Sequence, residues 1–307
     1  MGFTGTVQAV LDALCLETLR RLARWLNAPP NGLDIVQANL RANHSAAFHS
    51  RWHLSIKSYR SVLTQTPDST VQSERNMFAL TMDDNVFIHL EDPAAPTRAD
   101  VLAVAPPGQE AMYLKSPSHY RNTFLAMRPP GGLEQLLAQI KARWISVRQA
   151  AGQRNNITGQ QLIIEGRTYS IGTDWMVRVG NVQLAGGAIK GMLLEAEYLP
   201  LPLLRSAATD NTSELLSNLL TSILPNIPDA KTVAVTFNDA HWQDQLWDRE
   251  KELSEMNDPV AVVDNDDPYA WDNTDIAEWK QGDWAGVDRE QRSAYLIIGA
   301  LRSEGLL

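Results

Sequence analysis

The chain has 307 residues, 44% of them apolar and 21% charged, and a net charge of −9. That composition excludes global disorder and allows one elaborated domain or two smaller ones, while the acidic excess argues against a protein whose main task is gripping nucleic acid. One cysteine, Cys15, rules out a disulfide framework and any multi-cysteine zinc site, which fits a reducing compartment.

The N-terminus lacks the basic start and continuous apolar run of a signal peptide. Residues 1–6 match a loose myristoylation pattern, and no stretch reaches the ~18 apolar residues that spanning a bilayer requires. Residues 7–26 read as a helix, with Val7, Leu11, Leu14, Leu19, Leu22 and Leu26 near one face and Pro29-Pro30 beyond it; Thr4 to Val10 could instead be a short strand. From Phe48 to Lys57, apolar residues alternate with His49, Arg51, His53, Ser55 and Lys57, the pattern of a half-buried strand. Met77–Met82 and Val86–Leu90, joined through Asp83-Asp84-Asn85, read as a hairpin.

A second helix is expected over Leu133–Gln149, with an apolar stripe that includes Leu136, Ile140 and Trp144. Leu162–Ile164 and Thr168–Ile171 flank Glu165-Gly166-Arg167, the pattern of a hairpin. Trp175–Leu184 and Lys190–Leu199 flank a second glycine turn at Gly186-Gly187. The apolar parity of the first of these strands changes between Val179 and Val182, as a β-bulge at Gly180-Asn181 would require. Thr212–Leu224 is a third helix capped by Thr212 or Ser213, and Thr232–Phe237 is a strand. Arg289–Arg302 is a closing helix with Asp288 and Gln291 spaced as a capping box and a core face of Leu296, Ile297 and Leu301. Strands following strands in hairpins predict an α+β fold, a mainly antiparallel sheet or barrel with helices attached.

The charge is concentrated. Residues 239–288 hold 15 acidic residues against Arg249, Lys251 and Lys280, a local charge of −12, so the rest of the chain sums to +3. The same segment carries five of the nine tryptophans. An acidic stretch with interspersed rings can solvate itself and still offer apolar contacts, which makes Trp242, Leu246 and Trp247 candidate partner-binding residues. The alternative is a polar loop whose tryptophans pack back onto the fold.

Common catalytic and cofactor motifs are missing: no dinucleotide fingerprint, phosphate loop, H-E-x-x-H or C-x-x-C occurs. No cofactor, metal or catalytic residue is therefore assigned. His44, His49 and His53 form a cluster, but on a strand an i, i+4 pair lies about 13 Å apart, too far for one zinc ion, so they read as polar-face residues. Glu195-Ala196-Glu197 places two carboxylates on one strand face, the pattern with which a tunnel-type tri- or pyrophosphatase holds a divalent metal. A second such pair and the accompanying bases are missing, so a solvated outer face is the favoured reading.

Asp174-Trp175-Met176-Val177-Arg178-Val179-Gly180-Asn181-Val182, followed by Lys190-Gly191-Met192-Leu193-Leu194-Glu195-Ala196-Glu197-Tyr198-Leu199-Pro200, resembles the signature of the Mediator subunit 20 family, the TATA-binding-protein-related factors. Thr4-Gly5-Thr6-Val7 is similar to the family's opening segment, and 289–307 to the closing helix of filamentous-fungal members. The resemblance implies one elaborated antiparallel β-barrel domain over 1–307 with flanking and central helices. It implies a nuclear, non-catalytic subunit of the Mediator head module, pairing with subunit 18, tethered near subunit 8 and acting on RNA polymerase II indirectly. Neither membrane attachment nor sequence-specific nucleic-acid binding is expected from it. On this reading Glu195 and Glu197 are a surface or structural pair, and 239–288 has no counterpart.

Overall fold

A computed structural model of the chain describes residues 16–18, 20–61, 74–139, 144–146, 161–200, 203–205, 214–224, 232–235 and 287–307. In chain order the elements are β1 (Leu16–Thr18), β2 (Arg20–Trp25), α1 (Gly32–Asn43), β3 (Ala47–Ser61), β4 (Asn76–Met82), β5 (Asn85–Glu91), α2 (Arg98–Val104), α3 (Glu110–Lys115), β6 (Asn122–Met127), α4 (Gly132–Gln139), β7 (Trp144–Ser146), β8 (Gln161–Ile171), β9 (Trp175–Leu184), β10 (Ile189–Tyr198), β11 (Leu203–Arg205), α5 (Glu214–Ile223), β12 (Thr232–Val235) and α6 (Val287–Ser303).

One antiparallel sheet runs β12-β2-β10-β9-β8-β3-β4-β5-β6, with β7 paired to the end of β3, and β1 pairs separately with β11. Every strand of the path from β2 to β5 buries both faces over part of its length. Leu22, Trp52, Leu54, Ile56, Phe78, Leu80, Phe87, Ile164, Val182 and Leu193 point to an inner face that packs on α6. Ala23, Trp25, Tyr169, Val177, Val179, Met192 and Leu194 point outward beneath α1 and α5. Tyr59, Met77, Ala79, Val86 and Ile88 point outward beneath Leu133 of α4, where Lys57 Nζ and Tyr59 Oη donate to Glu134 Oε1 at 2.7 and 3.3 Å.

Helix α6 sets the curvature. It touches β2 and β5 alike, although a flat sheet would separate those strands by six spacings, about 29 Å, several times the radius of a helix with its side chains. The sheet therefore wraps around α6. Among the described residues no ladder joins β12 to β6, so the path is curled and open; the closed barrel expected from sequence is not formed by these ladders.

Several local expectations are corrected by this arrangement. Leu16–Thr18 and Arg20–Trp25 are strands: the first pairs with β11 and the second with Met192–Glu197 and with β12, and sheet pairing overrides the helical spacing of the leucines; residues 1–15 and 19 lie outside the described ones. The helix expected over 133–149 ends at Gln139, and Trp144–Ser146 pairs instead with Tyr59–Ser61. Residues 161–171 are one strand without a turn. Gly166 lies directly opposite Gly180, and a Cβ on Gly166 would stand 1.9 Å from the Val179 carbonyl oxygen. A Cβ on Gly180 would meet the Trp52 ring at 3.1 Å. The glycine pair is thus a recess for an inward indole rather than a turn.

No bulge interrupts Gly180-Asn181: Val177 and Val179 face outward and Val182 inward, so the parity change is a strand passing from one buried face to the other. The irregularity sits in β10, where the register shifts between Ile189 and Met192 and Gly191 takes φ +115°. Helix α6 begins at Val287, which puts Asp288 inside it rather than at the cap. Its buried residues extend well beyond Leu296, Ile297 and Leu301 to include Ala294, Tyr295, Ile298 and Ala300. The strands at 48–57, 77–90, 175–199 and 232–235 and the helix at 214–223 stand where periodicity places them.

Gly166→Ala tests the recess. In an open strand the substitution would be neutral or mildly favourable; here the backbone must move, and a loss of about 2–3 kcal/mol is expected from urea denaturation.

Candidate functional site

On β10, Leu193, Glu195 and Glu197 share the inner face by period two. Glu195 is fully buried and Glu197 is 3% exposed, so the expected solvated outer face is overturned. Burial is tolerated because the ladder places Arg178 of β9 directly across from Glu195. Arg178 Nη1 donates to Glu195 Oε2 at 2.8 Å and to Glu197 Oε2 at 3.5 Å. From the other side Ser293 Oγ of α6 donates to Glu195 Oε1 at 2.6 Å. Burial alone would push the Arg178 guanidinium down, but Glu195 and Glu197 outweigh it and hold it above its ordinary value.

This cluster joins sheet to helix and has little left for a metal. Both oxygens of Glu195 are engaged, and a divalent cation would have to displace an arginine and a serine to reach them. Among the described residues, no three His, Cys, Asp or Glu side chains converge as a metal site.

Three further ties hold α6 and its C-terminal turn. Arg24, buried on β2, donates through Nε to both Glu304 oxygens at 3.0 Å and through Nη2 at 2.7 Å. Arg302 Nη2 meets Glu91 Oε2 of β5 at 2.5 Å, and Asn85 Nδ2 donates to Glu290 Oε2 at 2.6 Å. Beneath α6, His89 of β5 is buried among Phe78, Phe124 and Tyr295, with ring centroids 5.9–6.1 Å away. Neither of its nitrogens makes a hydrogen bond of normal geometry, although Asn122 favours the charged form slightly. Burial, and then the Arg302 charge, push His89 down to about 4.

Away from this core, Asp92 accepts from Ala94 N at 3.1 Å, His119 Nε2 lies 2.9 Å from it and Arg75 Nε 2.6 Å, an arrangement that pins the segment before β6. An open groove of about 620 Å³ between α1 and α5 is lined by Asn39, Asn43, Ser222 and Leu224. Its asparagines are already committed: Asn39 Nδ2 donates to the Ser222 and Ile223 carbonyls at 3.0 and 2.7 Å, capping the end of α5 from another helix, and Asn43 Nδ2 donates to Asn39 Oδ1 at 2.6 Å.

Of the residues singled out from sequence, Glu195 and Glu197 are brought together with Arg178 and Ser293. His44 ends α1 with Nε2 3.3 Å from the Ser222 carbonyl, whereas His49 and His53 lie exposed on β3, so the histidines share no metal. Trp242, Leu246 and Trp247 lie outside the described residues. Arg178 stood inside the quoted motif without a role, and an arginine aligned with an E-x-E pair across a hairpin was the signal that could have found it. Ser293, Arg24, Glu304 and His89 carry no sequence signal, because their partners are remote in the chain.

Residues 33–251 match the family described as the TATA-binding related factor (TRF) of subunit 20 of Mediator complex. No curated protein matches the sequence. Similar solved structures include the PH1819 protein of Pyrococcus horikoshii OT3, at 9% identity over 66% of this chain and 86% of that one, TM-score 0.32. A putative adenylyl cyclase from Hippeastrum with a dominant triphosphatase activity matches at 9% over 68% and 91%, TM-score 0.29. The RNA triphosphatase domain of a mimivirus mRNA capping enzyme matches at 12% over 72% and 94%, TM-score 0.26. At such TM-scores the superpositions carry no argument about fold or chemistry.

Arg178→Met is expected to cost about 3–5 kcal/mol in urea denaturation, because it removes the cation that two buried carboxylates share. Arg178→Met/Glu195→Gln should recover part of that loss, because it also removes one of the two charges the arginine balances. The unfolded His89 imidazole binds a proton between its ordinary 6.5 and the native value of about 4, so stability should fall as pH drops across that window by up to about 3 kcal/mol and level off below it. His89→Phe should remove this component from the pH dependence of the denaturation midpoint.

Proposed function

The chain belongs to the Mediator subunit 20 family, a Mediator subunit with a role in transcription regulation, and from that premise we propose that it is a non-catalytic scaffold of the head module. It pairs with subunit 18, lies near subunit 8 in the nucleus, and relays activator signals to RNA polymerase II without touching DNA sequence-specifically. The curled sheet around α6 is, on this proposal, the body of the family's barrel, and Trp242, Leu246 and Trp247 are partner contacts.

The observation that supports a scaffold over a tunnel phosphatase is the state of Glu195. Its two oxygens are held by Arg178 and Ser293, and α6 packs against the inner face where a triphosphate would have to enter. A metal-dependent tri- or pyrophosphatase using Glu195 and Glu197 remains the competing reading, motivated by the carboxylate pair alone.

Co-expression with a subunit 18 homologue should yield a heterodimer on gel filtration at micromolar concentration, weakened by Trp242→Ala or Trp247→Ala; two separate monomers would overturn the pairing. Incubation with tripolyphosphate and Mn²⁺ or Mg²⁺ should release no phosphate above blank. Release that disappears in Glu195→Gln would establish the enzyme instead.

A further inference from the structure

Among the described residues the outer face of the sheet is covered in two places, by α1 and α5 over β8, β9, β10 and β2 and by α4 over β3, β4 and β5. Between these covers the middle of the β3–β8 ladder is open. Arg51 and Arg167 are direct cross-strand partners there, and both are exposed. Like charges placed opposite one another destabilise a ladder unless an anion lies between them. Among the described residues Arg51 makes no hydrogen bond or ion pair, and Arg167 donates only to Gln37 Oε1 of α1, at 3.0 Å. Gln37 is itself 5% exposed, and its Nε2 is a buried donor without a partner among the described residues. Arg41, one turn further along the same stripe of α1, is exposed as well.

The carboxylates bordering this strip are Asp34 at the other end of α1 and Glu165, which faces His53 at a loose 3.9 Å. Next along the ladder stands Phe48, 55% exposed and edge-on to Tyr169. The register shift between Phe48 and Ser50 brings Phe48 and Arg51 to the same face, opposite Tyr169 and Arg167. Tyr169 and Arg167 are two residues apart, about 7 Å along the strand.

We propose that this strip docks an acidic, extended peptide segment of a partner protein, with a carboxylate on the Arg51–Arg167 pair and an apolar side chain on Phe48 two residues away. Guanidinium pairs match carboxylates in a fixed, forked geometry, and the i, i+2 spacing of an extended chain matches the spacing of the two subsites. Nucleic acid fits less well: the basic strip is narrow, it is interrupted by Glu165, and it ends in an apolar ring rather than a continuous basic track. The proposal rests on the ladder geometry and stands apart from the choice of Mediator partner.

Fluorescence anisotropy of the full chain with a labelled peptide carrying Glu-x-Phe spacing is the test. Binding should weaken with added salt. It should fall at least about tenfold in Arg51→Glu/Arg167→Glu and in the milder Arg51→Gln/Arg167→Gln, and less in Phe48→Ser, with the circular dichroism spectrum of each variant that of the folded chain. A peptide with the acid and the ring adjacent should bind more weakly. Unchanged affinity in both arginine variants would overturn the proposal. So would tighter, arginine-dependent binding of a single-stranded oligonucleotide of equal charge. Peptide binding seen only after deletion of 239–286, which leaves α6 whole, would make the occupant this chain's own acidic segment and overturn a partner in trans.

Discussion

One helix has to satisfy both ends of one sheet. Helix α6 is 17 residues long and lies against strands that are six positions apart in the sheet order, and the sheet curls because both must reach it. Four polar ties fasten the helix and its final turn to the strands: Ser293 to Glu195, Glu290 to Asn85, Arg302 to Glu91 and Glu304 to Arg24. The last of these spans 280 residues of chain. Loop-closure entropy grows only slowly with such a separation, and the inner core is completed by a helix from the end of the chain.

The same requirement explains the carboxylate pair. An E-x-E strand facing an empty interior would present two acids to whatever enters, and a divalent metal is what such a geometry holds well. Here the interior is filled by α6, and an unpaired carboxylate under a helix would cost several kcal/mol. Arg178 on the neighbouring strand and Ser293 on the helix supply charge and hydrogen bonds in its place. Side chains at this spacing are here tied into a polar cluster between sheet and helix, and their setting is decided by what stands opposite them.

Charge is arranged on the outside in a complementary way. The body of the chain is close to neutral while one long segment carries a charge of −12, so association need not overcome a large uniform repulsion. Within that body the exposed Arg51–Arg167 pair is a place where the sheet presents like charges to each other and to solvent. A packed inner face and exposed charge on the outer face coexist because successive residues of a strand point to opposite faces.

Local pattern by itself determined most of the strands, the 83–85 and 186–187 turns, the helices near 214–223 and 287–303, and the signature across 174–200 that marks the family. These depend on neighbours a few residues away, through alternation, turn propensity and helical spacing. It misjudged residues 20–25, 144–146 and 165–167, where leucine spacing or a lone glycine imitates another element and only ladder partners such as Met192–Glu197, Tyr59–Ser61 and Gly180 decide. The candidate site divided in the same way. Glu195, Glu197 and Arg178 were visible as residues, but their burial, their pairing and the role of Ser293, His89 and Arg24 belong to the tertiary structure. A carboxylate's environment is set by the elements packed against it, and here those elements arrive from the far end of the chain.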